Sequence, residues 1–99
     1  MRQFDVKLSD QALEDADRVY DYILNRVFAP MTAALYYKGL LNKMHSLQKG
    51  ASAIAVDIKL SAHYGMPIRR VNYKKFAILY SIQGDTVIIE QVLPQKMIL

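Results

Sequence analysis

The stretch from Ile68 to Leu93, IRRVNYKKFAILYSIQGDTVIIEQVL, leaves the chain little choice of fold. It reads as three strands joined by two turns. Ile68 to Asn72 is short and carries two arginines, while Phe76 to Ile82 is an almost unbroken apolar run. Thr86 to Leu93 is a second such run, led by Val87, Ile88 and Ile89. Bulky and β-branched residues of this kind suit a pleated, buried surface. Gln83-Gly84-Asp85 is a short glycine-containing link between two such runs, which is a hairpin signal. The other link, Tyr73-Lys74-Lys75, is basic, so its tip is expected in solvent with Lys74 a mobile ammonium. An antiparallel meander with a basic first strand and a basic first turn follows.

Upstream, Gln3 to Leu8 alternates, with Phe4, Val6 and Leu8 on one side, and reads as a short half-buried strand. Ser9 or Asp10 can cap the helix that follows, because either side chain accepts from an unpaired backbone N–H. That helix is expected to reach about Phe28. Ala12, Ala16, Val19, Ile23 and Val27 form its apolar stripe, widened by Leu13, Tyr20 and Leu24. Ala29-Pro30-Met31-Thr32 breaks the pattern, since proline is tolerated only in a first helical turn. Ala33, Tyr37, Leu40, Met44 and Leu47 mark a second helix, and Gly50 is a plausible stop. Gly39 inside it costs up to about 1 kcal/mol relative to alanine unless close packing offsets that. In the 51–65 stretch, Ile54, Val56, Ile58 and Leu60 alternate with polar or small residues, which allows an extra edge strand. The expected plan is α+β, in the order β-α-α-β-β-β. A helical hairpin packs on one face of a small antiparallel sheet, as a single domain over residues 1–99.

Composition narrows the function classes. Ninety-nine residues suffice for one core. The absence of cysteine excludes disulfides and thiolate metal sites. The opening MRQFDVKLSD lacks the apolar run of a signal peptide, and no stretch is apolar enough to span a membrane. A cytoplasmic protein is the expectation. Net charge is +4, and its distribution matters more than its sum. From Lys59 to Lys75 the chain carries Lys59, Arg69, Arg70, Lys74 and Lys75 with no carboxylate, which favours an acidic partner.

No metal-ligand spacing, phosphate loop or nucleophile triad is present, so no metal or cofactor is expected. His45 reads as a helix-boundary residue. His63, in a loop near the basic strand, is the better catalytic candidate, with Arg70 and Lys74 as possible companions. Arg69 and Arg70 must point to opposite sheet faces. One can meet a partner's carboxylate or phosphate, and Arg69 can instead pair with a carboxylate of the first helix. Phe76, Ile78, Tyr80 and Ile82 share a parity that reads as core, with the Tyr80 hydroxyl satisfied.

The order strand, helical hairpin and IRRVNYKKFAILYSIQGDTVIIEQVLPQKM resembles the RelE/ParE toxins of bacterial type II toxin–antitoxin systems. LSDQALEDADRVYDYI looks like the first helix of ParE-type members, and Arg69, Phe76, Tyr80 and the Gly84–Val87 turn fall at family positions. The resemblance implies a toxin neutralised by a cognate antitoxin. ParE-like members poison DNA gyrase, whereas RelE-like members cut messenger RNA on the ribosome. The RNA-cleaving pattern is poorly matched. Ala77 stands where those nucleases have an arginine, Met97 at their C-terminal basic position, and Pro94 where many relatives have histidine. The resemblance therefore favours a ParE-like toxin, with Arg69, Arg70, Tyr73, Lys74, Lys75 and Lys96 as target- or antitoxin-binding residues. The alternatives are a RelE-like endonuclease using Arg70, His63 and Lys74, or a non-toxic antitoxin-binding member.

Overall fold

The structure, a computed structural model, describes residues 3–27 and 29–98. Strand β1 (Asp5–Leu8) leads into helix α1 (Asp10–Val27) and helix α2 (Pro30–His45). A short third helix, α3 (Ile58–Tyr64), precedes β2 (Arg69–Tyr73), β3 (Phe76–Gln83) and β4 (Thr86–Pro94). Ser9 is the cap of α1: its Oγ accepts the Ala12 N–H at 3.0 Å and donates to the Glu90 carbonyl at 2.9 Å. The hydroxyl thus fixes both the start of α1 and its position against β4. The end expected near Phe28 lies outside the described residues. Pro30 occupies the first turn of α2, where its missing N–H costs nothing. Leu13 departs from the expected stripe and is half exposed.

The sheet order is β1-β4-β3-β2. The meander β2-β3-β4 is antiparallel as expected, and β1 adds to it in parallel beside β4, so the sheet as a whole is mixed. Both hairpin loops contain two residues, Lys74-Lys75 and Gly84-Asp85, and Lys74 and Gly84 both take positive φ. Glycine does so freely; a lysine at φ 52° pays a steric cost. In β4, Tyr80 faces Ile89 but Leu79 faces Gln91, so Glu90 is an extra, bulged residue. The bulge resets the alternation: Val87 and Ile89 before it, and Val92 after it, all enter the same core.

That core lies between the helical hairpin and the sheet, built on Ala12, Ala16, Val19, Leu40, Met44, Ile78, Tyr80 and Ile89. Gly39 is needed for the closeness of α2. A Cβ there would sit 2.9 Å from Tyr73 Cζ and overlap its hydroxyl, so the ring fits only against a residue without a side chain. The Tyr80 hydroxyl donates to the Ala51 carbonyl at 2.7 Å. Burial pushes that hydroxyl's pKa up to about 12, partly offset by the nearby Arg69 cation.

The extra edge strand that the alternation allows around 54–60 is not formed. Val56 makes a single bridge to Arg69, and the chain then turns into α3. Asp57 Oδ1 accepts the Leu60 N–H at 3.0 Å, and Gly65 ends the helix in the left-handed region. These stop and start residues outweigh the alternation. Leu60 and Tyr64, four apart, join Ile68, Ala77 and Leu79 in a second core on the sheet's far face. The sheet is thus covered on both sides.

Candidate binding groove

A groove of about 1050 Å³ runs between α1, the start of α2, the Lys74-Lys75 turn and the chain after Val92. Its floor is apolar: Val19, Ile23, Phe76, Val92 and Pro94 line it. Its rim carries Arg18, Arg26, Lys74, Lys75 and Lys96, all exposed. Among the described residues the lining contains a single carboxylate, Asp15, which is buried and already occupied. Asp15 Oδ2 accepts the Val92 N–H at 2.9 Å, just past the bulge, and Oδ1 accepts from Gln11 at 2.9 Å. The carboxylate therefore satisfies a backbone donor that the interrupted ladder leaves over. Its contact with exposed Arg18 is longer, at 3.4 Å. The rim has a strongly positive bias.

Lys74 is not the mobile ammonium expected at a hairpin tip. Its Nζ lies 4.9 Å from the centre of the Tyr36 ring and 5.7 Å from that of Tyr73, so two π-faces hold it. Tyr36 in turn meets Tyr73 and Phe76 edge-on, with centroids 5.4 and 6.1 Å apart. Burial raises the Tyr36 pKa, partly offset by the Lys75 backbone amide, so the ring stays a neutral platform. The turn is tied to the C-terminal segment as well. Gln95 donates from Nε2 to the Lys74 carbonyl at 2.6 Å and from its backbone N to the Lys75 carbonyl at 2.8 Å.

The groove brings Lys74, Lys75 and Lys96 together and leaves the other sequence candidates elsewhere. Tyr73 is half-buried between Gly39 and Tyr36 and supports Lys74 from below. Arg69 makes no bond to an α1 carboxylate. Its Nη1 donates at 2.8 Å to the carbonyls of both Ser52 and Ile54, tying down the segment before α3. The reason is topological, because β2 lies at the sheet edge beside that segment. Arg70 is on the far face and bonds Asn72 at 2.9 Å. His63 is exposed on α3, lining a different pocket. Arg70, His63 and Lys74 thus do not converge. His45 is exposed at the end of α2. Ala77, at the nuclease-arginine position, is buried in the second core under α3. Among the described residues, no cluster of histidine and carboxylate side chains could hold a metal ion.

Sequence reasoning did not single out Arg18, Arg26 or Tyr36, which the groove includes. The signal was present: Arg18, Tyr22 and Arg26 recur every four residues beside the Asp15, Val19, Ile23 row. Arg26 also lies over the Tyr22 ring, 5.4 Å from its centre.

Fold and groove together define a small α+β protein in which a helical hairpin and a mixed sheet frame a cation-rimmed groove. A family model described as the ParE toxin of the type II toxin–antitoxin system parDE matches residues 6–99, and the chain belongs to that family. Among solved structures it is similar to a chain of the chromosomal ParDE toxin–antitoxin system from P. aeruginosa. The TM-score is 0.78, with 17% identity over 93% of this chain and 96% of that one. No curated protein matches it in sequence. No helix among the described residues is long and apolar enough to cross a membrane.

Proposed function

We propose that this protein is a cytoplasmic toxin that arrests growth by binding DNA gyrase or a similar target, and that a cognate antitoxin silences it by occupying the groove. One observation carries the reading: an apolar floor under a rim of five cations, with the one carboxylate that lines it among the described residues buried. An amphipathic segment with acidic flanks complements both features. Its apolar side chains replace water on the floor, and its carboxylates meet the rim. Cutting messenger RNA is the weaker reading. General acid–base chemistry needs groups within about 3 Å of one reacting centre, and Arg70, His63 and Lys74 lie on different parts of the surface. Ala77 beneath α3 offers no charge to a transition state.

The test pairs a gyrase supercoiling assay with titration by the antitoxin encoded alongside. The chain should inhibit supercoiling, and the antitoxin should relieve the inhibition at a fixed stoichiometry. Charge reversal at Lys74 and Lys75 should slow antitoxin association and flatten its salt dependence relative to wild type. Robust ribosomal A-site cuts mapped by primer extension, and abolished by Arg70→Ala, would overturn the reading in favour of RNA cleavage.

A further inference from the structure

The far face of the sheet carries a second concavity that the groove does not explain. It has a volume of about 460 Å³ and lies between α3 and the end of the chain. Its floor is aliphatic, formed by Leu60, Leu93, Met97 and Ile98. Among the described residues its polar lining consists of Lys59, His63, Tyr64 and Gln91, with no carboxylate. Lys59 and His63 are four apart on α3, so they share a side of the helix, and both are exposed. The Tyr64 hydroxyl donates to Gln91 Oε1, which leaves the Gln91 amide two N–H donors to offer. Within the lining, Met97 is 65% exposed.

We propose that this pocket is a second docking site, taking a short acidic segment of a partner protein. One aliphatic side chain of that segment enters over Leu60 and Leu93, while a neighbouring carboxylate meets Lys59, His63 and the Gln91 amide. Complementarity selects the occupant: the lining offers the Lys59 ammonium and the Gln91 amide donors over an apolar floor, and the carboxylate next to Gln91 in the chain, Glu90, is held by the Ser81 hydroxyl. A volume of this size fits a few side chains rather than a whole helix. Single-stranded nucleic acid fits less well, because stacking needs an open aromatic face. Tyr64 is part of the second core and engaged with Gln91, and the remaining floor is aliphatic. The cations and donors that define the site belong to the pocket alone, while Leu93 and Met97 line the groove as well.

The experiment is a titration of the ¹⁵N-labelled full chain with an acetylated Glu-Leu-Asp-Leu-Glu peptide. Saturable shifts are expected at the amides of Lys59, His63, Gln91 and Ile98. Lys59→Glu, at an exposed position that leaves folding intact, should weaken binding roughly threefold to tenfold. Lys38→Glu, in neither cavity, should leave the affinity unchanged and shows that the loss is local rather than a response to net charge. The proposal is overturned by an absence of saturable shifts, or by shifts centred on Arg26, Lys74 and Lys96. It is equally overturned if a Lys-Leu-Lys-Leu-Lys peptide binds as well, or if a ten-nucleotide oligo-dT binds more tightly at the same amides.

Discussion

Replacing Asp15 tests whether the groove is built on a buried carboxylate or merely bordered by one. Asp15 is 3% exposed and accepts the Val92 N–H at 2.9 Å. A hydrogen bond to a charged group contributes about 1.5–3 kcal/mol, and a buried donor left without a partner costs about 1–3 kcal/mol. Asp15→Ala removes the acceptor while the donor stays buried, so a loss of roughly 2–3 kcal/mol is expected. Arg18 contributes little to that sum. Its side chain is 71% exposed and 3.4 Å away, and exposed pairs contribute about 0–1 kcal/mol. Asp15→Asn keeps an oxygen for Val92 and should cost no more than about 1.5 kcal/mol. In a domain of this size the alanine change should lower Tm by roughly 10–20 °C. The chain has no tryptophan, so urea unfolding is best followed by far-ultraviolet circular dichroism. If Asp15→Ala lies within about 0.5 kcal/mol of wild type, or Arg18→Ala costs as much as Asp15→Ala, the reasoning fails.

Other expectations follow from the same packing. Gly39→Ala should destabilise by about 1–2 kcal/mol despite its better helix propensity, because the new methyl displaces Tyr73. In a Tyr73→Ala background the same change should be neutral or stabilising, which a double-mutant cycle in urea would read. Tyr80→Phe should cost about 1 kcal/mol at pH 8, where the hydroxyl bonds Ala51. The Tyr80 pKa is raised from 10.0 to about 12 in the fold, so its stabilisation is complete below pH 10 and fades as pH climbs toward 12. Urea curves across that window should show the gap between wild type and Tyr80→Phe closing. Tyr36→Leu should weaken antitoxin binding even though Lys74 keeps its charge, because the platform beneath Nζ is gone. Equal affinity by calorimetry would refute a positioning role for the ring.

The meander and the hairpin were legible because each rests on one local signal repeated many times. Ile78, Tyr80, Val87 and Ile89 are buried where alternation puts them, and Pro30 starts α2. The 54–64 region was not legible, because Ile54, Val56, Ile58 and Leu60 allow a strand, while the deciding contacts are a cap at Asp57 and a sheet face to cover. Sequence could not reveal that the far face needed covering, since Ala77 and Leu79 fit either a solvated or a buried strand. The groove was half legible. Lys74, Lys75 and Lys96 stood out as cations, but Arg18, Arg26 and Tyr36 join them only once α1 and α2 are laid beside the first turn of the meander. For Arg69 the sequence suggested a carboxylate of the first helix as a structural partner. Only the edge position of β2 diverts it to the carbonyls of Ser52 and Ile54.

Leu93 and Met97 line both the groove and the α3 pocket. The end of the chain is therefore a party wall, with a tenant's room on each side. A side chain enlarged at Met97 intrudes on one room or the other, and one shortened there opens a passage between them. Substitutions at these two positions should consequently register in both binding assays at once, whereas those at Arg26 or Lys59 register in one. A variant selected to escape the groove's occupant would then find Arg26 an easy route and Met97 an expensive one.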